Sequence, residues 1–115
     1  MSTQEVLNHH LEAFASGSVD DVMKDYTEES VLIVPDATLT GLDNIRAAFT
    51  GFFDGLFKPS TYNFTLDKAE ISGQVAYIVW HSANQDADVL LGTDTFLIRE
   101  GKISVQTFAA HIQEK

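Results

Sequence analysis

Hydrophobic positions in the first half of the chain recur at the three- and four-residue steps of amphipathic helices. The first helix is predicted to end before Gly17, and its apolar stripe consists of Val6, Leu7, Leu11 and Phe14, with His10 inside it. A capping-box pattern that begins at Ser18 predicts a second short helix through Tyr26. The most regular stripe predicts a third helix, after Gly41 and ending near Phe57, made of Leu42, Ile45, Phe49, Phe52, Phe53 and Leu56.

The rest of the chain is rich in the β-branched and aromatic residues typical of strands. A short strand is predicted at residues 30–34, where Pro35 stops it and a loop begins. Four longer strands are predicted at residues 61–71, 75–84, 89–99 and 103–112. Helices followed by a meander of antiparallel strands indicate an α+β fold of one domain, residues 1–115, with three N-terminal helices on the sheet.

Alternation along the strands assigns each side chain to one face of the sheet. We assign Tyr77, Val79 and His81 to the inner face of their strand. The inner face of the two following strands is predicted to carry Asp94, Phe96, Ile98, Gln106 and Phe108. The three helices cover the inner face, so the apolar area of the outer face stays uncovered. The outer face is assigned Ala76, Ile78, Trp80, Thr95, Leu97 and Val105. We therefore expect a homodimer through the outer sheet face.

Composition narrows the possible partners and locations. The net charge of −10 repels phosphate backbones and anionic membranes, so we expect no nucleic-acid binding, and no apolar run is long enough to span a membrane. The absence of cysteine excludes disulfides and thiolate chemistry. The first residues lack a basic region followed by an apolar one, so no signal peptide is visible and a cytoplasmic protein is expected.

Asp94 is the residue that points most directly to chemistry. A carboxylate on the same face as Phe96 and Ile98 is aimed at the interior, where ionisation is costly unless the group is paired or its pKa rises. A functional carboxylate and a structural one, hydrogen-bonded to backbone or water near a strand end, both fit this pattern. His10, on an apolar helical stripe, is either a core histidine or a catalytic partner of Asp94. As a partner, a protonated His10 within hydrogen-bond reach would lower the pKa of Asp94, and the two groups would titrate as a coupled pair.

Five short segments together resemble the nuclear transport factor 2-like superfamily, which includes ketosteroid isomerases and SnoaL-like polyketide cyclases. These segments are residues 10–17, 28–31, 41–46, 92–96 and 101–103. The resemblance covers nearly the whole chain and implies a cone of curved antiparallel sheet, a cone-shaped α+β barrel, packed on three helices. Each pattern is degenerate, so their order and spacing indicate the fold more strongly than any activity.

The resemblance also implies roles for single residues. Ketosteroid isomerases form an oxyanion hole from a helical tyrosine and a protonated strand aspartate, while a second aspartate shuttles the proton. His10 stands at the tyrosine position, Asp94 at the strand aspartate, and Val34 at the base, before Pro35. The family base is therefore absent; Asp36 either points into the same cavity or is a solvated turn residue. The SnoaL-like branch needs only an acid/base aspartate and no cofactor.

Further residues are candidates for the same cavity. Gln106 is expected either to bind a ligand carbonyl or to satisfy Asp94, and His81 either to join the cavity or to reach solvent near its strand end. Predicted ligand contacts are Tyr77, Phe96, Gln106, Phe108, Phe49, Val34 and Asp36. The tyrosines fit core or rim positions better than acid roles. No short metal-ligand spacing connects His10, His81 and Asp94, so we predict no metal site.

Two functions from different classes are compatible with these residues. The first is a small cofactor-independent enzyme, of isomerase, cyclase or dehydratase type, that uses Asp94 with His10 and His81 on an apolar carbonyl compound. The second is a non-catalytic small-molecule-binding or dimerisation module of the same fold. An open cavity around Asp94 that admits a drug-sized ligand would favour the enzyme, and a filled interior would favour the module.

Overall fold

The computed structural model describes residues 1–115 and contains three helices packed on one six-stranded sheet. The helices are α1 (Thr3–Ser16), α2 (Val19–Met23) and α3 (Leu42–Asp54). The strands are β1 (Val31–Val34), β2 (Ala37–Thr40), β3 (Tyr62–Ser72), β4 (Val75–Asn84), β5 (Ala87–Arg99) and β6 (Lys102–Glu114). The α+β class and the three-helix arrangement predicted from the sequence are confirmed. No helix is long and apolar enough to cross a membrane.

Local signals explain where the helices begin and end. Ser2 and Glu5 form a reciprocal capping box at the start of α1, and Gly17 closes the helix in the left-handed conformation at φ 73°. Ser18 accepts a hydrogen bond from the Asp21 backbone and so caps α2, which ends at Met23, earlier than predicted. The helix α3 buries Ile45, Phe49 and Phe53 against the sheet.

The sheet has the strand order β2-β1-β6-β5-β4-β3 and is open at both edges. The curved sheet of the expected cone-shaped fold is confirmed, and the sheet does not close into a barrel. The strand β1 also pairs with β6 in parallel, whereas all other neighbours are antiparallel. The loop predicted after Pro35 is instead the turn of a hairpin, since β2 folds back on β1 with Val34 paired to Ala37.

Burial defines the two faces of the sheet. The inner face of β4 carries Ala76, Ile78, Trp80 and Ser82, all buried, whereas His81 is exposed. Our assignment of faces on β4 is therefore wrong, and the predicted outer residues Ala76, Ile78 and Trp80 belong to the core. On β5 and β6 the assignment is confirmed, because Asp94, Phe96, Ile98 and Gln106 are buried. The core thus lies between the three helices and this inner face.

Candidate functional site

A narrow cavity lies in the core between the helices and the sheet. Its volume is about 40 Å³, and ten of its thirteen lining residues are hydrophobic. The only ionisable groups among the lining residues are those of His10 and Asp94, and the amide of Gln106 is the third polar group. The remaining walls are Leu11, Phe14, Leu32, Phe49, Phe52, Phe57, Phe64, Ile78, Trp80 and Phe108. The cavity is therefore an aromatic chamber with one carboxyl group.

Asp94 is held in place by two hydrogen bonds from neighbouring strands. Trp80 Nε1 donates to Oδ1 over 2.8 Å, and Gln106 Nε2 donates to Oδ2 over 2.8 Å. Trp80 lies on β4 and Gln106 on β6, so the central strand β5 receives one donor from each side. Each carboxylate oxygen thus has one donor and keeps acceptor capacity for a further partner.

Burial raises the pKa of Asp94 to about 6, although the hydrogen bonds from Trp80 and Gln106 lower it in part. Only 7% of the residue is exposed, and the surrounding aromatic side chains cannot solvate a charge. The donors are neutral groups, so they stabilise the carboxylate without supplying a positive charge. Asp94 therefore exchanges its proton close to neutral pH.

Gly92 makes room for the tryptophan that holds Asp94. It lies directly opposite Trp80 on the paired strand, and a Cβ atom built on Gly92 would lie 2.3 Å from Trp80 Cε2. No side chain other than hydrogen fits at that distance. The glycine therefore allows the indole to lie over β5, where its Nε1 reaches the carboxylate two residues further along the same face.

His10 lines the same cavity from α1, but it does not pair with Asp94. Its ring packs edge-on against Phe49 and Phe96, with centroid distances of 6.0 and 5.1 Å. Burial lowers the pKa of His10 to about 4, so the imidazole is neutral at physiological pH. Its Nδ1 is buried and has no hydrogen-bond partner. The predicted coupled titration of His10 with Asp94 is therefore not supported, and His10 keeps free hydrogen-bonding capacity.

The structure separates two predicted catalytic or ligand residues from the cavity. His81 is exposed on the outer face of β4, where its Nδ1 lies 2.7 Å from Asp67 Oδ2. Tyr77 is on that same outer face, opposite Thr95. Both follow from the reversed face of β4, so the prediction that they line the cavity is wrong. Tyr77 and His81 instead belong to the surface that faces away from the helices.

The remaining predicted ligand residues divide into three groups. Gln106, Phe108 and Phe49 line the cavity as expected. Phe96 points inward but is completely buried beneath His10 and is not part of the cavity wall. Val34 and Asp36 lie outside the cavity wall, with Asp36 exposed in the β1–β2 turn, because the hairpin carries that segment away. No carboxylate replaces the absent family base there.

Tyr26 and Trp80 also belong to the site, although neither was predicted there from the sequence. The hydroxyl group of Tyr26 donates a hydrogen bond to Gln106 Oε1, and Gln106 in turn donates to Asp94. Tyr26 lies just after α2, 80 residues before Gln106 in the sequence. No local pattern reveals such a contact. For Trp80, the small residue Gly92 on the face of Asp94 was an available signal for a large neighbour on the adjacent strand.

A second group of ionisable residues lies outside the cavity and ties α1 to α2. His9 Nδ1 lies 2.6 Å from Asp25 Oδ2, and His9 Nε2 lies 3.2 Å from Asp21 Oδ1. The hydrogen bond with Asp25 is the main cause of a raised pKa at His9. No group of three or more histidine, aspartate or glutamate side chains is arranged to hold a metal ion. These contacts are accounted for by helix packing alone.

The geometry and the comparisons together define the class of the protein. Helices packed on one face of a curved open sheet, with a polar group in the enclosed cavity, form the nuclear transport factor 2-like fold. The SnoaL-like domain matches residues 7–106, so the chain belongs to the SnoaL-like domain family. A comparison with curated proteins found no match for the sequence.

Solved structures support the same fold at low sequence identity. A candidate ketosteroid isomerase from Kribbella flavida has a TM-score of 0.78 and 13% identity, over 95% of this chain and 77% of that chain. A nuclear transport factor 2-like protein from Burkholderia xenovorans has a TM-score of 0.77 and 19% identity, over 94% of this chain and 81% of that chain. A candidate polyketide cyclase from Sinorhizobium meliloti has a TM-score of 0.76 and 14% identity, over 94% of this chain and 99% of that chain. Identities this low establish the fold and leave the activity to the site.

Proposed function

We propose that the chain is a small cofactor-independent enzyme in which Asp94 acts as a general acid and base on an apolar carbonyl compound. The observation that carries this proposal is a carboxyl group with a pKa of about 6 inside an aromatic cavity. A group with that pKa takes up and releases protons near neutral pH, which is where acid/base catalysis is most effective. The ligands favoured by such walls are uncharged and apolar.

His10 would be the second group in this reaction. When Asp94 removes a proton from the carbon next to a carbonyl, negative charge develops on the carbonyl oxygen, and a neutral imidazole N–H is able to donate a hydrogen bond to it. In an isomerisation the proton then returns from Asp94 to carbon, at the same or a conjugated position. Cyclisation and dehydration begin with the same removal of a proton, which Asp94 then gives to the new alkoxide or to the departing hydroxyl group. The donor role is supported by the position of His10 in the wall of the same cavity as Asp94.

The volume of the cavity favours a second candidate function. Typical small-molecule sites enclose roughly 300 to 1,000 Å³. The cavity around Asp94 has about 40 Å³, which accommodates a few water molecules or one small functional group. A non-catalytic binding module would be consistent with this size. Larger substrates require movement of half-buried walls such as Phe52 and Phe108.

A ketone probe separates the two candidates. We would incubate the protein with 2-indanone in D₂O and follow loss of the protons beside the carbonyl by ¹H NMR. The acid/base proposal predicts exchange above the buffer rate in the wild type and a loss of at least tenfold in Asp94→Asn. Binding detected by the fluorescence of Trp80, without faster exchange, would support the module instead. Equal exchange by both proteins would refute the role of Asp94.

We also propose that the chain forms a homodimer through the corrected outer face of β4, β5 and β6. Its central residues are Tyr77, Val79, Thr93, Thr95, Leu97, Val105 and Thr107. This strip contains no charged side chain, while each chain carries a net charge of −10 elsewhere. Two copies therefore repel each other least when they meet through this strip, and a two-fold interface needs only one self-complementary surface.

A further inference from the structure

A buried relay of polar side chains leads from Tyr26 to the carboxyl group of the candidate site. The Tyr26 hydroxyl donates to Gln106 Oε1, and Gln106 Nε2 donates to Asp94 Oδ2 over 2.8 Å. All three residues are at most 7% exposed. They come from the segment after α2, from β6 and from β5, so the relay joins three parts of the chain.

The amide of Gln106 has one donating and one accepting end, and the relay uses both. In the opposite orientation Oε1 would face the carboxylate, and two acceptors would meet unless Asp94 were protonated. The N–H group of Gln106 would then face Tyr26, whose hydroxyl proton has no other acceptor among its hydrogen bonds. Every donor in the relay is therefore satisfied only when Gln106 donates to an ionised Asp94.

We propose that Tyr26 is a positioning residue that fixes the orientation of Gln106 and thereby stabilises the ionised form of Asp94. Tyr26 does not line the cavity, and its side-chain hydrogen bond is to the amide of Gln106. The inference uses Asp94 as the ionisable group of the proposed function. Its readout is the ionisation of Asp94 itself, and it requires no turnover.

The surrounding groups are consistent with this role. Burial, the charge of Asp94 and that of Asp25 raise the pKa of Tyr26 well above 10, so its hydroxyl remains a donor at every working pH. His10 on α1 is the other titratable group facing the cavity, and it is neutral above its pKa of about 4. The neighbouring elements α3 and β4 contribute Phe49 and Trp80, which do not titrate.

The variant Tyr26→Phe tests the proposal with a small change. It removes the hydroxyl group and keeps the ring that packs on Phe49 at 5.7 Å between centroids. We expect the pKa of Asp94 to rise by about one unit, a tenfold change in its ionisation constant, because Gln106 is then free to turn. The titration is followed by ¹³C NMR of the Asp94 carboxyl carbon and by the fluorescence of Trp80, the only tryptophan.

Tyr62→Phe is the matched control, because Tyr62 packs on Phe57 in the same core and takes no part in the relay. The pKa of Asp94 should not change in this variant. A second test is the pair Gln106→Met and Tyr26→Phe/Gln106→Met. If Tyr26 acts through the amide, the two proteins should have the same Asp94 pKa, within about 0.2 units of each other.

An unchanged Asp94 pKa in Tyr26→Phe, with the protein folded, would overturn the inference. A shift of similar size in the Gln106→Met background would also overturn it, because the effect would then bypass the amide. If Tyr26→Phe fails to fold, Gln106→Met is compared with wild type, and an unchanged Asp94 pKa in that variant would overturn the inference because the amide would have no effect on the carboxylate. Absence of ketone exchange would refute the proposed function and leave these titrations valid.

Discussion

Replacing Asp94 with asparagine should remove a pH-dependent part of the protein's stability. In the native state the pKa of Asp94 is about 6, against an ordinary value of 3.8. Because the folded protein binds the proton more tightly, this group contributes stability at low pH that is lost as the pH rises through about 6. The difference in pKa corresponds to about 3 kcal/mol in full, since one unit is 1.36 kcal/mol.

The measurement is urea denaturation of wild type and Asp94→Asn at a series of pH values. The sequence pI is near 4.5, where solubility falls, so the series begins at about pH 5. At that pH about 1.4 kcal/mol of the contribution remains, and at about pH 7.5 almost none does. We therefore expect the stability of the wild type relative to the variant to fall by about 1.4 kcal/mol across this range.

The level and the slope of the two curves carry different information. Asparagine offers one accepting oxygen to two donors, Trp80 Nε1 and Gln106 Nε2, which adds a pH-independent cost of about 1 to 3 kcal/mol to the variant. Only the slope reports the ionisation of Asp94. Asp54→Asn, which changes an exposed carboxylate on α3, is the matched control for the loss of one acidic side chain. Parallel curves for Asp94→Asn and wild type would refute the burial argument.

Two further predictions concern packing and assembly. Gly92→Ala should lower the free energy of unfolding by about 2 to 4 kcal/mol in denaturant titrations, because the new methyl group displaces Trp80. The same displacement should raise the Asp94 pKa. A variant as stable as wild type would contradict the packing argument. Val79→Glu on the outer face should give a monomer in light scattering, whereas wild type should be a dimer. Leu66→Glu, which changes an exposed leucine on the other face of the sheet, should remain a dimer. A monomeric wild type would refute the homodimer proposal.

The strength of the local signal explains which parts of the fold the sequence predicts. The helix α3 has a clear apolar stripe, and Gly17 marks the end of α1, so both helices were predicted from local signals. The hairpin of β1 and β2 was missed because Pro35 looks like a strand end, while the chain in fact turns there and pairs Val34 with Ala37. A four-residue strand carries too little pattern to be recognised by periodicity.

The faces of β4 could not be settled by alternation, because both sides are apolar. Ala76, Ile78 and Trp80 alternate with Tyr77 and Val79, so either set could face the core. Tyrosine and histidine tolerate partial exposure, and that preference would have favoured the observed arrangement. On β5 the flanking Phe96 and Ile98 left one choice, and the position of Asp94 was predicted correctly.

The correction on β4 also changes the expected chemistry of Asp94. A protonated His10 beside the carboxylate would place two opposite charges together and lower the pKa of Asp94. Instead the partners are the neutral N–H groups of Trp80 and Gln106, which orient the carboxylate and leave its pKa near 6. The cavity then contains a single negative charge, and a proton taken from a substrate neutralises it. The observed network is therefore better suited to an acid/base role for one carboxyl group than the predicted ion pair with His10 would be.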